Sequence, residues 1–198
     1  MTAHELWLVR HGETEWSRSG RHTSVTDLEL TSDGEAVAGR LVGPLSTVDF
    51  ARVLTSPRLR ARRTAELAGF DEPQVDPDLA EWAYGDYEGL TTPKIRESVP
   101  DWSVWTHPSP GGETAEEVGR RLDRVVAAAR ASDGRTLVFG HGHSLRVLAA
   151  RWLGLPVEQG KIFDLDTATI SVLGDDRGTP VVRRWNAETP VSRGSLEP

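Results

Sequence analysis

The chain has 198 residues, no cysteine and a formal net charge of −7. Zero cysteines exclude disulfides, thiolate zinc sites and a cysteine nucleophile, and the acidic balance argues against non-specific nucleic-acid binding, which needs a basic face. The length suits one domain burying ~70 % of its unfolded-chain surface, and with neither a ~20-residue apolar span nor a signal-peptide pattern a cytoplasmic protein is expected.

Leu6-Trp7-Leu8-Val9 is a short apolar run that fits a strand covered on both faces. It breaks at once into Arg10-His11-Gly12-Glu13-Thr14. Open α/β sheets bind ligands beyond the carboxyl ends of their strands, so Arg10 and His11 arrive where a small anion would sit. Arginine offers a planar fork of donors for phosphate, and histidine can act as a nucleophile near neutrality. Taken alone, the stretch fits equally well a polar loop with Arg10 in a surface ion pair.

Glu15 to Gly20 reads as a short helical turn stopped by glycine, and Arg21 to Leu30 as a loop. Ser32 and Glu35 have capping-box spacing before an amphipathic helix through Ala36, Val37 and Leu41, ended by Pro44 and the Ser46-Thr47 turn. Ala51 to Leu54 is a second strand, and Thr55-Ser56-Pro57 opens a helix from Arg58 to Ala68 that Gly69 closes. Most of its arginines read as a solvated face, but a residue in the first turn after a strand end reaches back over the sheet's carboxyl edge. After the connection Pro73 to Asp78 comes Leu79 to Leu90, too rich in aromatics, glycine and acids for a regular element.

Thr91 to Ser98 and Asp101 to Thr106 read as short helices, the second with Trp102 and Trp105 on one side. Pro108 to Gly112 is a hard break, and Thr114 with Glu117 caps a long helix whose core face carries Val118, Leu122, Val125 and Ala129. Thr136 to Gly140 is a third buried strand, running into His141-Gly142-His143-Ser144-Leu145-Arg146 and a helix to Trp152. Thr167 to Leu173 and Pro180 to Trp185 form a terminal β-hairpin. Residues 1–186 are expected to be a single α/β domain, its mixed and mostly parallel sheet covered by helices on both faces, with 187–198 as a frayed tail.

Three buried strands therefore end in reactive chemistry: Arg10-His11, Thr55-Ser56 ahead of Arg60, and His141. A polar cluster opening at Glu81 is the fourth part. Two histidines, two arginines and a carboxylic acid around one anion make a coherent phosphoryl-transfer set. One imidazole attacks phosphorus in line, the other cationic and imidazole groups neutralise the equatorial oxygens, and the acid protonates the leaving oxygen.

These residues, as spaced, resemble the histidine phosphatase superfamily, also called phosphoglycerate-mutase-like. Leu8-Val9-Arg10-His11-Gly12-Glu13-Thr14 matches its defining motif, and Thr55-Ser56 with Arg60-Ala61 and Thr64 its second, which selects Arg60 over Arg58. Glu81 with Tyr84-Gly85 and Glu88-Gly89, then Gly111-Gly112-Glu113-Thr114, then His141 to Arg146, complete the set. The resemblance implies His11 as the phosphorylated nucleophile, Arg10, Arg60 and His141 as holders of the phosphoryl group, and Glu81 as proton donor. It implies substrate contacts at Ser17, Thr23, Arg58 and Tyr84, and a backbone donor at Gly142.

The segments after the first motif, around Arg60 and around Glu81 are most similar to the sugar-bisphosphatase and small acid phosphatase branch. Where mutases carry Asn after the first-motif Trp, this chain has Ser17; after the catalytic Glu, where they commonly carry a basic residue, it has Trp82. Its segment between Gly89 and Gly111 is shorter than a mutase's capping insertion, which favours water reaching the intermediate. A phosphatase of small phosphorylated metabolites, sugar phosphates or bisphosphates, is expected, with phosphoglycerate mutase and a non-catalytic phospho-ligand-binding protein as alternatives. No metal or other cofactor is implied, since His141-Gly142-His143 lacks further ligands, and a homodimer remains open. Arg58, Arg62 and Arg18 are the candidates for a second anionic group on the substrate, with a solvated face as the alternative for Arg62. His143 orients its neighbours or faces solvent, and Trp102 and Trp105 could wall the substrate pocket.

Overall fold

The computed structural model describes residues 4–189. Its sheet has six strands in the order β3-β2-β4-β1-β5-β6. Strand β1 (Leu6–Arg10), β2 (Phe50–Thr55), the two-residue β3 (Gln74–Val75) and β4 (Arg135–Gly140) run parallel. Strand β5 (Ile170–Asp176) pairs antiparallel with β1, and β6 (Thr179–Ala187) antiparallel with β5. The sheet is thus mixed and mostly parallel, and it ends in the C-terminal hairpin read from the sequence.

The period-2 alternation of strand side chains divides the core between two faces. Leu6, Leu8, Leu54 and Val138 pack with Val118 and Leu122 of α6 (Ala115–Arg130) and Leu145 and Leu148 of α7 (Gly142–Trp152). Val9, Leu137 and Phe139 pack on the other side, with Leu41, Leu45, Ala65 and Ala68. That layer is built from α2 (Ser32–Gly39), α3 (Val42–Leu45) and α4 (Leu59–Leu67). Both faces are covered, which is why the central strands read as unbroken apolar runs.

Register brings the three strand ends together. Arg10 lies opposite Gly140, and Thr55 opposite Phe139. The ladder continues one bond further: the His11 and Ser56 N–H groups donate to the carbonyls of Gly140 and Phe139, each at 2.9 Å. The chain therefore leaves β1, β2 and β4 at one edge, and His11, Ser56 and His141 meet there.

Some local expectations are corrected. The cap of α2 is Thr31, not Ser32: its Oγ1 accepts from the Gly34 N–H at 3.0 Å and donates to Glu13 at 2.9 Å. Glu35 pairs instead with Arg63, at 2.8 Å. Pro44 sits inside the short α3 rather than ending a helix, where a missing N–H in the first turn costs nothing. Thr92–Arg96 is helical (α5), but 101–106 is a string of turns. Asp101 adopts φ 64°, and Arg96 takes the Trp102 carbonyl that a helix would use. The hairpin turns tightly at Arg177 and Gly178, both at positive φ, so its first strand lies three residues further along than expected and its second is longer. Residue 187 belongs to β6, and residues 190–198 of the expected tail lie outside the described residues. Among the described residues no helix is long and apolar enough to cross a membrane.

Candidate active site

His11 follows the last residue of β1 and is only 5 % exposed. Its Nδ1 lies 2.7 Å from the Gly12 carbonyl, which can only accept, so Nδ1 carries the proton and Nε2 keeps its lone pair. Burial, with the positive charges of Arg60 and Arg10, holds the imidazole well below its ordinary pKa. At neutral pH its imidazole is uncharged, with the Nε2 lone pair available. Gly12 is anchored through its N–H to Thr64 Oγ1 at 2.9 Å, and this hydroxyl donates to the Arg60 carbonyl at 2.7 Å. The turn needs glycine on both sides: a Cβ at Gly12 would meet the Gly34 carbonyl oxygen at 2.7 Å, and one at Gly34 the Glu13 oxygen at 2.3 Å. Helix α2 seats against the turn that carries His11 by this backbone contact.

Arg60 is completely buried. It donates through Nη1 to the Thr26 carbonyl at 3.0 Å and through Nη2 to those of Thr23 and Ser24 at 3.1 and 3.3 Å. Arg10 donates through Nη1 to the Leu165 carbonyl. His141, also fully buried, caps α7, with its ring 5.2 Å from that of His11 and Nε2 2.7 Å from Ser56 Oγ. Ser56 Oγ accepts from the Arg58 N–H at 3.3 Å, so its own proton is free to go to His141 Nε2, which leaves the ring proton on Nδ1. Burial and Arg60 keep this ring, too, well below its ordinary pKa. Around His11, then, Arg10 Nε, Arg60 Nε and His141 Nδ1 are buried and have no partner among the described residues. An unpaired buried donor costs about 1–3 kcal/mol. Three together make a receptor for an anion's oxygens.

Glu81, in the loop after Leu79, faces this cluster and lies over the first turn of α7. Its carboxylate accepts from the His143 N–H at 3.0 Å, the Ser144 N–H at 2.7 Å and the Trp82 N–H at 2.9 Å. A helix N-terminus favours such an acceptor, and the Gly142 N–H is the first-turn amide that Glu81 does not take. The loop bearing Glu81 is fixed from behind. Glu113 accepts from the Ala83 N–H at 2.9 Å and pairs with Arg121, whose Nη1 holds the Asp78 and Ala80 carbonyls at 2.6 and 2.8 Å. Glu88 accepts from the Ser24 and Thr26 N–H groups, which carries the Thr23 to Thr26 carbonyls to Arg60. Glu88 and Glu113 are therefore structural clamps, while Glu81 opens onto the site.

The cavity over these groups holds about 230 Å³, room for a small metabolite rather than a polymer. Ser17, Thr23, Tyr84 and Gly142 line it with Arg10, His11 and Glu81. Ser17 Oγ is committed to a capping box with Thr14 in α1 (Glu15–Arg18). Arg58, expected at the substrate, is not among the lining residues; it stands at the N-terminus of α4, beside Ser56. Arg18 is also withdrawn, paired at 2.7 Å with Glu13 and at 3.3 Å with Glu15, and Arg62 is exposed on α4 away from the cavity. Trp102 and Trp105 are buried behind the cavity and do not line it.

Long-range packing adds lining residues that the sequence reading left without a role, His22, Arg21, Arg146, Asp164 and Asp166, and His143, expected to orient its neighbours or face solvent, lines the cavity with them. His143 Nδ1 lies 2.6 Å from the Tyr84 hydroxyl. Burial pushes Tyr84 well above and His143 well below their ordinary pKa values, so the tyrosine donates to a neutral imidazole. Trp105 packs edge-on against His143 and carries the Arg146 guanidinium at 4.8 Å from its ring centre. His22 packs on Tyr84 and Trp102, and burial lowers its pKa to about 4.

Residues 6–188 match the histidine phosphatase superfamily (branch 1). The chain belongs to that superfamily. It is 48 % identical over 180 residues to an acid phosphatase of Mycobacterium tuberculosis, with 88 % of each chain covered. It is 40 % identical over 185 residues to a sedoheptulose 1,7-bisphosphatase of Saccharomyces cerevisiae, covering 77 % of this chain and 68 % of the relative. A solved structure of a Mycobacterium tuberculosis open reading frame superposes with a TM-score of 0.90 at 42 % identity, covering 94 % of this chain and 99 % of the other. The sugar-bisphosphatase and acid-phosphatase resemblance read from the motifs agrees with these relatives.

Proposed function

We propose that this protein is a phosphomonoesterase that releases phosphate from a small phosphorylated metabolite through a phosphohistidine on His11. The observation that carries the reading is the neutral His11 imidazole, its Nδ1 proton given to Gly12, ringed by three buried donors that lack partners among the described residues. In the first step the Nε2 lone pair attacks phosphorus, the bond from phosphorus to the leaving oxygen breaks, and Glu81 gives that oxygen its proton. Arg10, Arg60 and His141 spread the charge of the equatorial oxygens. In the second step water attacks the phosphohistidine and gives a proton to the Glu81 carboxylate, the nitrogen–phosphorus bond breaks, and phosphate leaves with His11 and Glu81 restored. The two arginines supply the positive charge, so the reading needs no metal; it places the enzyme in the cytoplasm.

Phosphoglycerate mutase is the weaker alternative. The 91–112 segment is packed down through Ile95, Trp102, Val104 and Trp105 and contributes no arginine to the cavity. Its one arginine, Arg96, donates to the Trp102 carbonyl. A mutase has to hold its phosphoenzyme against water, and nothing in this segment covers His11 to that end. A panel of phosphorylated metabolites and p-nitrophenyl phosphate, assayed for phosphate release with and without bisphosphoglycerate, tests the reading. Phosphate release without the activator is expected; transfer that depends on bisphosphoglycerate, with no release, would favour the mutase.

A further inference from the structure

The cavity has a mouth as well as a floor, and the two differ in charge. At the floor lie Arg10 and His11, with Arg60 and His141 fully buried beneath the lining; Arg10 Nε, Arg60 Nε and His141 Nδ1, unpartnered among the described residues, are a complement for one phosphoryl group. The mouth is mixed. Arg21 and Arg146 line it, and so do Asp164 and Asp166, which flank Leu165 on the loop before β5. The carbonyl of Leu165 is the group that accepts from Arg10, so this acidic loop is tied directly to the phosphate site.

The loop that carries the two carboxylates is held in place from the hairpin. Asn186, in β6, accepts from the Asp166 N–H at 2.7 Å and donates to Asp166 Oδ2 at 2.8 Å. Asp166 Oδ1 has no donor among the described residues. The Asp164 carbonyl accepts from the Trp185 indole, and its Oδ1 from the Leu165 N–H at 3.0 Å. Across from them Arg146 is immobilised: it stacks on Trp105, and its Nε and Nη2 donate to the Gly160 and Lys161 carbonyls, each at 3.1 Å. Asp164 is the carboxylate that most supports the charge of Arg146, and with Asp166 it also acts on Arg10.

We infer that this mouth selects the uncharged, hydroxyl-bearing body of a sugar monophosphate and disfavours a second phosphate. This rests on the phosphatase reading and names the class of substrate for the same site. Hydroxyls can donate to Asp164 and Asp166 and accept from Arg146 at once, whereas a second phosphate would have to sit beside two carboxylates. The arginines expected to receive it do not reach the mouth: Arg18 is paired with Glu13, Arg58 is not among the lining residues and Arg62 is turned to solvent, while the charges of Arg21 and Arg146 at the mouth are matched by the two aspartates. Like charges brought together at an exposed rim should move the ratio of affinities by about tenfold.

Fructose 6-phosphate and fructose 1,6-bisphosphate form the test pair, since they differ by one phosphate. Calorimetric affinities measured on His11→Ala protein do not depend on turnover. The monophosphate is expected to bind more tightly. Asp164→Asn with Asp166→Asn in that background should shift the ratio about tenfold towards the bisphosphate, and Asp164→Asn alone, at an exposed side chain, should shift it part of the way. Tighter binding of the bisphosphate by the parent, or a ratio unmoved by either variant, would overturn the inference. Absence of phosphate release by the wild-type enzyme would instead remove the phosphatase reading, and the affinity ratio would still decide what the mouth prefers.

Discussion

His22 offers a quantitative test of how the cavity wall is built. Its ring packs 4.7 Å from that of Tyr84 and 5.2 Å from that of Trp102, and Nε2 lies 3.1 Å from Thr92 Oγ1. Burial lowers its pKa from 6.5 to about 4. The unfolded chain therefore binds a proton at this residue where the folded one does not, throughout the window from about pH 6.5 to about pH 4. The sign follows from linkage: the stability is complete above pH 6.5 and falls as the solution is acidified through that window. At pH 5 the unfolded imidazole is almost fully charged and the folded one still neutral, which costs about 2 kcal/mol relative to pH 7. Replacing His22 with Phe keeps the ring but removes the bond to Thr92, a loss of about 1 kcal/mol at pH 7. At pH 5 the variant escapes the protonation penalty and should be the more stable protein by about 1 kcal/mol. Urea unfolding of both proteins at pH 7, 6 and 5 reads this directly. The order of stability should reverse between the extremes. Parallel profiles, with the variant weaker at every pH, would refute the argument that His22 is held neutral by burial.

Glu81→Gln should lower kcat for a sugar phosphate by about 10²–10⁴-fold, the usual worth of a positioned acid, and cost far less with p-nitrophenyl phosphate, whose leaving group hardly needs a proton. Equal losses on both substrates would move the leaving-group acid to another residue. Chelator treatment should leave kcat/KM unchanged, because Arg10 and Arg60 already supply the positive charge; a loss reversed by a divalent ion would contradict this. Gly34→Ala forces a Cβ to within 2.3 Å of the Glu13 carbonyl oxygen, backbone that cannot swing aside. Urea unfolding should show a loss of about 3 kcal/mol, and a cost below 1 kcal/mol would mean that α2 does not seat on the turn that carries His11 as described.

What the sequence revealed and what it hid follow from the range of the interactions involved. Leu6 to Val9, Ala51 to Leu54 and Thr136 to Gly140 declare themselves as buried strands, and the residues that follow them can be assigned to one sheet edge by topology alone. Thr114 and Glu117 form the expected capping box because nothing distant competes for either side chain. Ser32 and Glu35 do not, because Glu13 recruits Thr31 and Arg63 recruits Glu35. The same competition misled the search for a second anion site: Arg18 lies close to the first motif in sequence, but Glu13 and Glu15 neutralise it. Asp166 had no local signal at all, and Arg146, although it ends the His141 to Arg146 motif, had none for its partners. Asp166 gains its place from Asn186, twenty residues away, and Arg146 from Trp105 and the Gly160 carbonyl. A linear reading has no means of pairing them.

The central claim is that His11 Nε2 carries the phosphoryl group during turnover. Rapid quenching of the enzyme with a slowly hydrolysed phosphorylated substrate, followed by alkaline digestion and mass spectrometry, tests it most directly. The account predicts a phosphoryl group stable to base and labile to acid, on Nε2 of His11, formed fast enough to lie on the pathway and absent from a folded His11→Ala protein that no longer releases phosphate. A phosphoryl group on any other residue, or near-normal turnover by folded His11→Ala, would contradict it.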